Sequence, residues 1–200
     1  MTAADPMTDI KAIRDKLKAM LPPERFRHSL RVEEKATSLA KLYRVSENKA
    51  ALAALLHDCS RFMSRGQMLS NAIRWGMRPG PIEKLEPKLL HAALSARIAR
   101  KEFGIGDREV LKAIERHTVG AEKMSRLDKI IYLADHIELD RDYKGVDRVR
   151  KLASRDLDAA IVASTDSMIE HLLAEGLPVF PETVKTRNAH LMASRTARKK

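Results

Sequence analysis

An all-α fold is what this chain predicts, on three observations. Alanine, leucine, lysine and arginine dominate its 200 residues, whereas glycine and proline number eight each. Apolar residues recur at helical spacing along most of its length, and no segment sustains the alternation of a half-buried strand. At 44% hydrophobic and 32% charged residues the chain is long and apolar enough to bury one core without staples. No internal repeat divides it. We read residues 1–20 as an N-terminal helix packed on the core, 21–180 as the main domain, and 181–200 as a C-terminal helix with a basic tail.

The elements follow in order. Ile10, Ile13 and Leu17 place a first helix over Thr8 to Met20. Pro22 and Pro23 break it, and a proline is suited to open the next helix, which carries Phe26, Leu30, Ala36, Leu39, Ala40 and Leu42 to about Arg44. Ser46 is placed to cap a third over Glu47 to Cys59. Ser64 with Gln67 forms a capping-box pattern for a shorter helix with Met68, Leu69 and Ile73. Trp75 to Pro87, thick with glycine and proline, reads as loop. Helix resumes from about Lys88 to Phe103. The turn GIGD then lets Asp107 cap a helix ending near His117, and Ser125 with Asp128 opens another over Arg126 to Ile137. Asp147 to Glu175 and Pro181 to about Ser194 offer two or three more.

Several classes are excluded or narrowed at once. The single cysteine, Cys59, permits no internal disulfide and suits a reducing cytoplasm. No apolar stretch approaches the ~20 residues of a membrane span, and the opening MTAADPMTDIK has no apolar signal region, so we expect a cytoplasmic protein that avoids membranes. The formal charge of +11 is partly a tail, ASRTARKK (193–200), whose basic residues read as solvated or disordered, and partly helical cations such as Lys11, Arg14, Arg148 and Arg150. It suits a polyphosphate substrate, or a weak nucleic-acid contact through the tail, as well as plain surface charge.

The chemistry lies in a scattered set. His57 and Asp58 close the apolar run AALAALLHD, and His28, His91, His117 and Asp135 also follow or sit in helical segments: LLHAALSA, AIERHTVG, IIYLADHIE. Imidazole and carboxylate together suit iron, manganese, zinc or related divalent ions, whereas an all-oxygen set would point to magnesium or calcium. A polar group on the inner face of such helices costs several kcal/mol unless paired or liganded. Adjacent helical side chains diverge by ~100°, so His57 and Asp58 can share an ion only at a helix end, and an aspartate can bridge two ions ~3.5–4 Å apart. The alternative for Asp135 is a salt bridge to a buried arginine. His136 should face elsewhere, and His171 and His190 read as ordinary residues of late helices.

The order H…HD…H…H…D on a helical chain resembles the HD-domain phosphohydrolase superfamily. More narrowly, the segments RHSLRV (27–32), ALLHDCSR (54–61), LLHAALSARIARKEFGI (89–105), VLKAIERHTVGAEKMSRLDKIIYLADHIE (110–138) and RDYKGV (141–146) resemble the bacterial YqeK-type symmetrical diadenosine tetraphosphate hydrolases. The resemblance covers roughly residues 20 to 180 and implies a helical HD bundle. It implies two divalent metal ions, most often iron, with manganese able to substitute. His28, His57, Asp58 and Asp135 would hold one ion, and Asp58, as a bridge, with His91 and His117 the other, which makes Asp58, His91 and His117 the catalytic set. A water activated by the ions would attack a phosphorus of diadenosine tetraphosphate and release two ADP. Arg61, Lys88, Lys129 and Arg141 are candidate phosphate contacts, Thr118 and Gly120 candidate lining, and Trp75 a candidate wall for the nucleoside.

Two departures stand out: Arg61 where HDIAK would carry lysine, and Ser95 where HA-x-x-GA would carry glycine. Neither touches a proposed ligand. The alternatives are another HD phosphohydrolase, acting on a nucleoside monophosphate, deoxynucleotide or guanosine alarmone, and a metal-containing nucleotide sensor or RNA-associated adaptor. A homodimer is also compatible with the helical surfaces.

Overall fold

The computed structural model describes residues 9–197, and the fold reported below is that of these residues. They form eleven α-helices and no strand: α1 (Ile10–Met20), α2 (Pro23–Leu42), α3 (Glu47–Leu56), α4 (Arg65–Arg74), α5 (Pro81–Leu85), α6 (His91–Glu102), α7 (Arg108–Arg116), α8 (Arg126–Ile137), α9 (Val146–Ala153), α10 (Leu157–Ala174) and α11 (Pro181–Ala197). A 3₁₀ turn, Pro87–Leu90, leads into α6.

Helix starts obey local chemistry. Ser46 accepts from Lys49 N, and Asp107 from Glu109 N and Val110 N. Ser64 with Gln67, and Ser125 with Asp128, close reciprocal capping boxes. These match the expected caps. The start of the first helix at Thr8 lies outside the described residues.

α8 is the central post. Ile130, Ile131, Tyr132, Leu133 and Ala134 are all fully buried, because α2, α3, α7 and α10 surround it; a helix apolar on every side belongs inside. α3 is buried over its whole ALAALL stretch, and its alanines let α2 pack closely against it. α1 inserts Ile13 and Leu17 and is tied to α2 by a two-pronged Arg14–Glu33 pair, with Nη2 2.7 Å and Nε 3.1 Å from the carboxylate. α4 and the 3₁₀ turn enclose a smaller cluster of Met68, Ala72, Leu90 and Leu94.

Three expectations are corrected. α3 stops at Leu56 instead of Cys59: Ser60 N donates to Ser95 Oγ (3.1 Å) and Ser60 Oγ donates to His91 O (3.0 Å), so docking on α6 replaces the helical ladder. The segment read wholly as loop contains α5, because Pro81 presets the first helical residue and Glu83 reaches back to Gly80 N. The tail whose basic residues are expected to be solvated or disordered is ordered helix through Ala197: Arg195 is exposed, as a solvated cation should be, but Ser194 is buried with Oγ 3.3 Å from Asp156 Oδ2. Residues 198–200 lie outside the described set.

Candidate metal centre

Each of the six predicted ligands stands where a helix delivers it to one interior point. His28 is in the interior of α2; His57 and Asp58 follow α3 directly; His91 opens α6; His117 follows α7; Asp135 is in the last turn of α8. His57 and Asp58 do sit at a helix end, where neighbouring side chains can aim at one place. The His28 and His57 Nε2 atoms are 3.2 Å apart, and those of His91 and His117 are 2.9 Å apart. Asp58 lies between the pairs, with Oδ1 3.2 Å from His91 Nε2 and 3.8 Å from His117 Nε2, and Oδ2 3.8 Å from His57 Nε2. Asp135 Oδ1 is 3.2 Å from His28 Nε2 and 3.9 Å from His57 Nε2.

The hydrogen bonds behind these rings decide what faces inward. His57 Nδ1 donates to Ala54 O (2.6 Å), His91 Nδ1 to Lys88 O (2.5 Å) and His117 Nδ1 to Ile114 O (2.7 Å). A carbonyl only accepts, so each Nδ1 keeps the proton and each Nε2 turns a lone pair inward. Burial pushes His91 and His117 down to about 4, and lowers His57 too, so these three imidazoles are neutral near pH 7. Burial alone would raise Asp58, but His57, His91 and His117 outweigh it and hold the carboxyl well below its usual range. For Asp135 burial is likewise outweighed, by the adjoining His28 imidazole and by His57 and Arg141. Both acids are ionised.

Lone pairs facing lone pairs around an anion repel one another unless a cation lies among them. Asp58 Oδ1 is buried with no hydrogen-bond donor among the described residues, an arrangement that leaves the desolvation cost of that oxygen unmet. Among the described residues, three sets have ligand atoms close enough to share an ion: His28–His57–Asp58, His57–His117–Asp135 and Asp58–His91–His117. The donor chemistry therefore fits divalent metal.

The cluster floors a cleft of about 640 Å³, within the usual size for small-molecule sites. Arg25 Nη1 is 3.2 Å and Arg61 Nε 3.7 Å from Asp58 Oδ2, and Arg141 Nη2 is 2.6 Å from Asp135 Oδ1. Thr118 Oγ1 stands 3.1 Å from His91 Nε2 and 3.2 Å from His117 Nε2. The far wall comes from α10, through Ser164, Ser167, Met168 and His171. Asp135 thus has an arginine partner as well as its place in the cluster.

Arg61, Thr118 and Arg141 line this cleft; three other expected contacts do not. The Lys88 side chain is exposed, and its carbonyl orients His91 instead. Gly120, at φ +71°, lies against α11, where an added Cβ would come 2.5 Å from Thr186 Cγ2. Lys129 pairs with Asp158 at 2.7 and 2.8 Å in a separate cluster with His190. Trp75 packs on the core beneath Lys101, 5.2 Å from its ammonium, away from the cleft wall. His136 half-faces the cleft, stacked on Tyr132. Sequence reasoning missed Arg25, Glu138 and the α10 wall. Arg25 precedes His28 by one helical turn and so shares its face, a spacing that could have found it.

With this geometry the chain is recognisable: it belongs to the HD-domain family, whose model matches residues 25–140. It is 41% identical over 176 residues to the symmetrical bis(5'-nucleosyl)-tetraphosphatase of Halalkalibacterium halodurans, across 88% of this chain and 94% of that protein. The protein of the same name in Bacillus subtilis is 37% identical over 172 residues, across 86% of this chain and 92% of its own. A crystal structure of a predicted HD superfamily hydrolase involved in NAD metabolism, from Clostridium acetobutylicum, superposes with a TM-score of 0.88 at 37% identity, covering 92% of this chain and 97% of that one.

Proposed function

We propose that this protein hydrolyses dinucleoside polyphosphates symmetrically, converting diadenosine tetraphosphate and water to two ADP. The observation that carries the reading is the inward convergence of four imidazoles on Asp58 and Asp135 beneath an arginine-lined cleft. Relatives named symmetrical bis(5'-nucleosyl)-tetraphosphatases, similar over most of their length, support the substrate.

In this reading His28, His57, Asp58 and Asp135 hold one divalent ion and Asp58, His91 and His117 a second, iron being the first candidate and manganese an alternative. When bound, such ions lower the pKa of water and neutralise charge on phosphoryl oxygens. The chain's own groups do the rest. Ionised Asp58 supplies one oxygen to each half of the cluster, while the backbone bonds at Nδ1 keep three Nε2 atoms unprotonated for ligation. Arg25, Arg61 and Arg141 offer planar forks to polyphosphate oxygens, which such forks grip in bidentate fashion. The Thr118 hydroxyl offers a further polar contact beside His91 and His117. Cleavage at the centre of the chain breaks one bridging P–O bond; water's oxygen joins one ADP and its protons leave or remain by pH.

The test is product analysis of diadenosine tetraphosphate incubated with the protein and iron or manganese, with a chelator control. Metal-dependent ADP as sole product supports the reading. AMP plus ATP would move the cleavage point and overturn the symmetrical assignment. No turnover with any metal, but turnover of another nucleotide in a panel, would favour a different HD phosphohydrolase.

A further inference from the structure

His28 differs from the other three imidazoles in what holds its ring. His57, His91 and His117 stand at helix boundaries and donate Nδ1–H to a carbonyl three residues earlier. His28 lies inside α2, where carbonyls are already engaged by the helix's own ladder. Its Nδ1 instead lies 3.2 Å from Oε1 of Glu138, brought from 110 positions away at the end of α8. Glu138 is buried, and its Oε2 accepts from Arg31 Nε and from Asp140 N, both at 2.8 Å. The carboxylate is gripped from one side and meets the imidazole on the other.

We propose that Glu138 is the positioning residue for the His28 half of the metal centre. It accepts the Nδ1 proton, fixes the ring's tautomer and plane, and so sets how tightly the ion among His28, His57, Asp58 and Asp135 is held. This rests on the reading of His28 as a ligand. A carboxylate behind a ligating imidazole makes it a more basic donor and aims its lone pair. The effect is local, because His28 belongs to the His28–His57–Asp58 group and not to Asp58–His91–His117, whose rings are backed by neutral carbonyls. The two ions are therefore inequivalent.

Manganese titration of the metal-stripped full-length protein, followed by the electron paramagnetic resonance of free ion, tests this. The wild type should take two ions. Glu138→Gln should weaken one of them by about 10- to 100-fold and leave the other unchanged. Arg31→Met is the contrasting variant, since Arg31 grips the same carboxylate and Asp140 without touching His28. It should lower the thermal midpoint and leave both affinities unchanged. Two unchanged affinities in Glu138→Gln would overturn the proposal, as would equal weakening in Arg31→Met, which would make Glu138 a strap for the 138–141 turn. A wild type that takes no ion refutes the ligand reading itself, a separate result. Should Glu138→Gln not fold, nitrogen-resolved imidazole spectra of the zinc-loaded wild type decide: a proton on His28 Nδ1 is expected, and one on Nε2 overturns the proposal.

Discussion

Two clusters in this fold combine histidine with aspartate, and they are built in opposite ways. Around Asp58, imidazole lone pairs converge and a carboxylate oxygen is buried without a donor. Around Asp158, every strong group is paired: Lys129 reaches both oxygens at 2.7 and 2.8 Å, His190 Nδ1 lies 2.5 Å from Oδ1, and His190 Nε2 lies 3.3 Å from the Ala121 carbonyl. The second cluster is complete and fastens α11 and α10 to α8. The first leaves open the polar atoms that a cation could close. The same residue types serve binding where their polar atoms are left open and architecture where they are closed.

The largest expected contrast comes from the two aspartates. Asp58→Asn should cut turnover of diadenosine tetraphosphate by about a thousandfold or more, some 4 kcal/mol, and strip metal, read by metal analysis and product assay. Wild-type turnover in this variant would break the two-ion scheme.

Asp158→Ala should do the reverse. Lys129 and His190 lose their shared partner, costing about 2 kcal/mol in urea unfolding for so partly buried a cluster, while turnover per folded molecule stays at the wild-type level. A fall in turnover without a fall in stability would erase the distinction between the clusters.

Acid should separate the clusters in sequence. His91 and His117 are held near 4 by burial, below the ordinary histidine value of 6.5. Between those limits the unfolded chain binds protons that the folded one refuses. Metal-free protein should therefore lose stability as pH falls from 6.5 towards 4, by roughly 3 kcal/mol for each of these two histidines. Asp158 is held below its ordinary 3.8, where His190 and Lys129 outweigh the opposing effect of burial. Its contribution is present above that value and is lost only as pH falls further, through the folded pKa. Urea midpoints in chelator across pH 7 to 3 would show two stages; a flat profile above pH 4 contradicts the neutral-imidazole picture.

The smallest contrast is between two cations. Arg61→Lys keeps the charge but loses the planar fork beside Asp58, and should raise KM about tenfold, near 1.4 kcal/mol. Lys129→Met should leave KM unchanged, since its ammonium is engaged by Asp158. A raised KM for Lys129→Met would return it to the substrate site.

Much of this was legible in the sequence, for a local reason. Helix starts depend on a side chain and the three residues after it, so Ser46, Ser64, Asp107 and Ser125 announced theirs correctly. The six histidines and aspartates stood out because polar residues ending apolar helical runs need a partner. Helix ends were less legible: α3 stops early because Ser60 bonds to α6, 31 to 35 residues away. Cation assignments were least legible. Arg61, Lys88, Lys129 and Arg141 are alike as letters, and their different surroundings depend on which carboxylates the fold brings near.

The sequence by itself determined the all-helical class, the caps and the set of groups able to converge, because each depends on periodicity or on neighbours within a turn. Only the tertiary structure decided which pairs meet: Glu138 with His28 across 110 positions, Arg25 with Asp58 across 33, and Asp158 with His190 across 32. Such pairings follow from how helices cross. Helix crossing is settled by the shape of the whole buried core, of which no short stretch of chain carries a record.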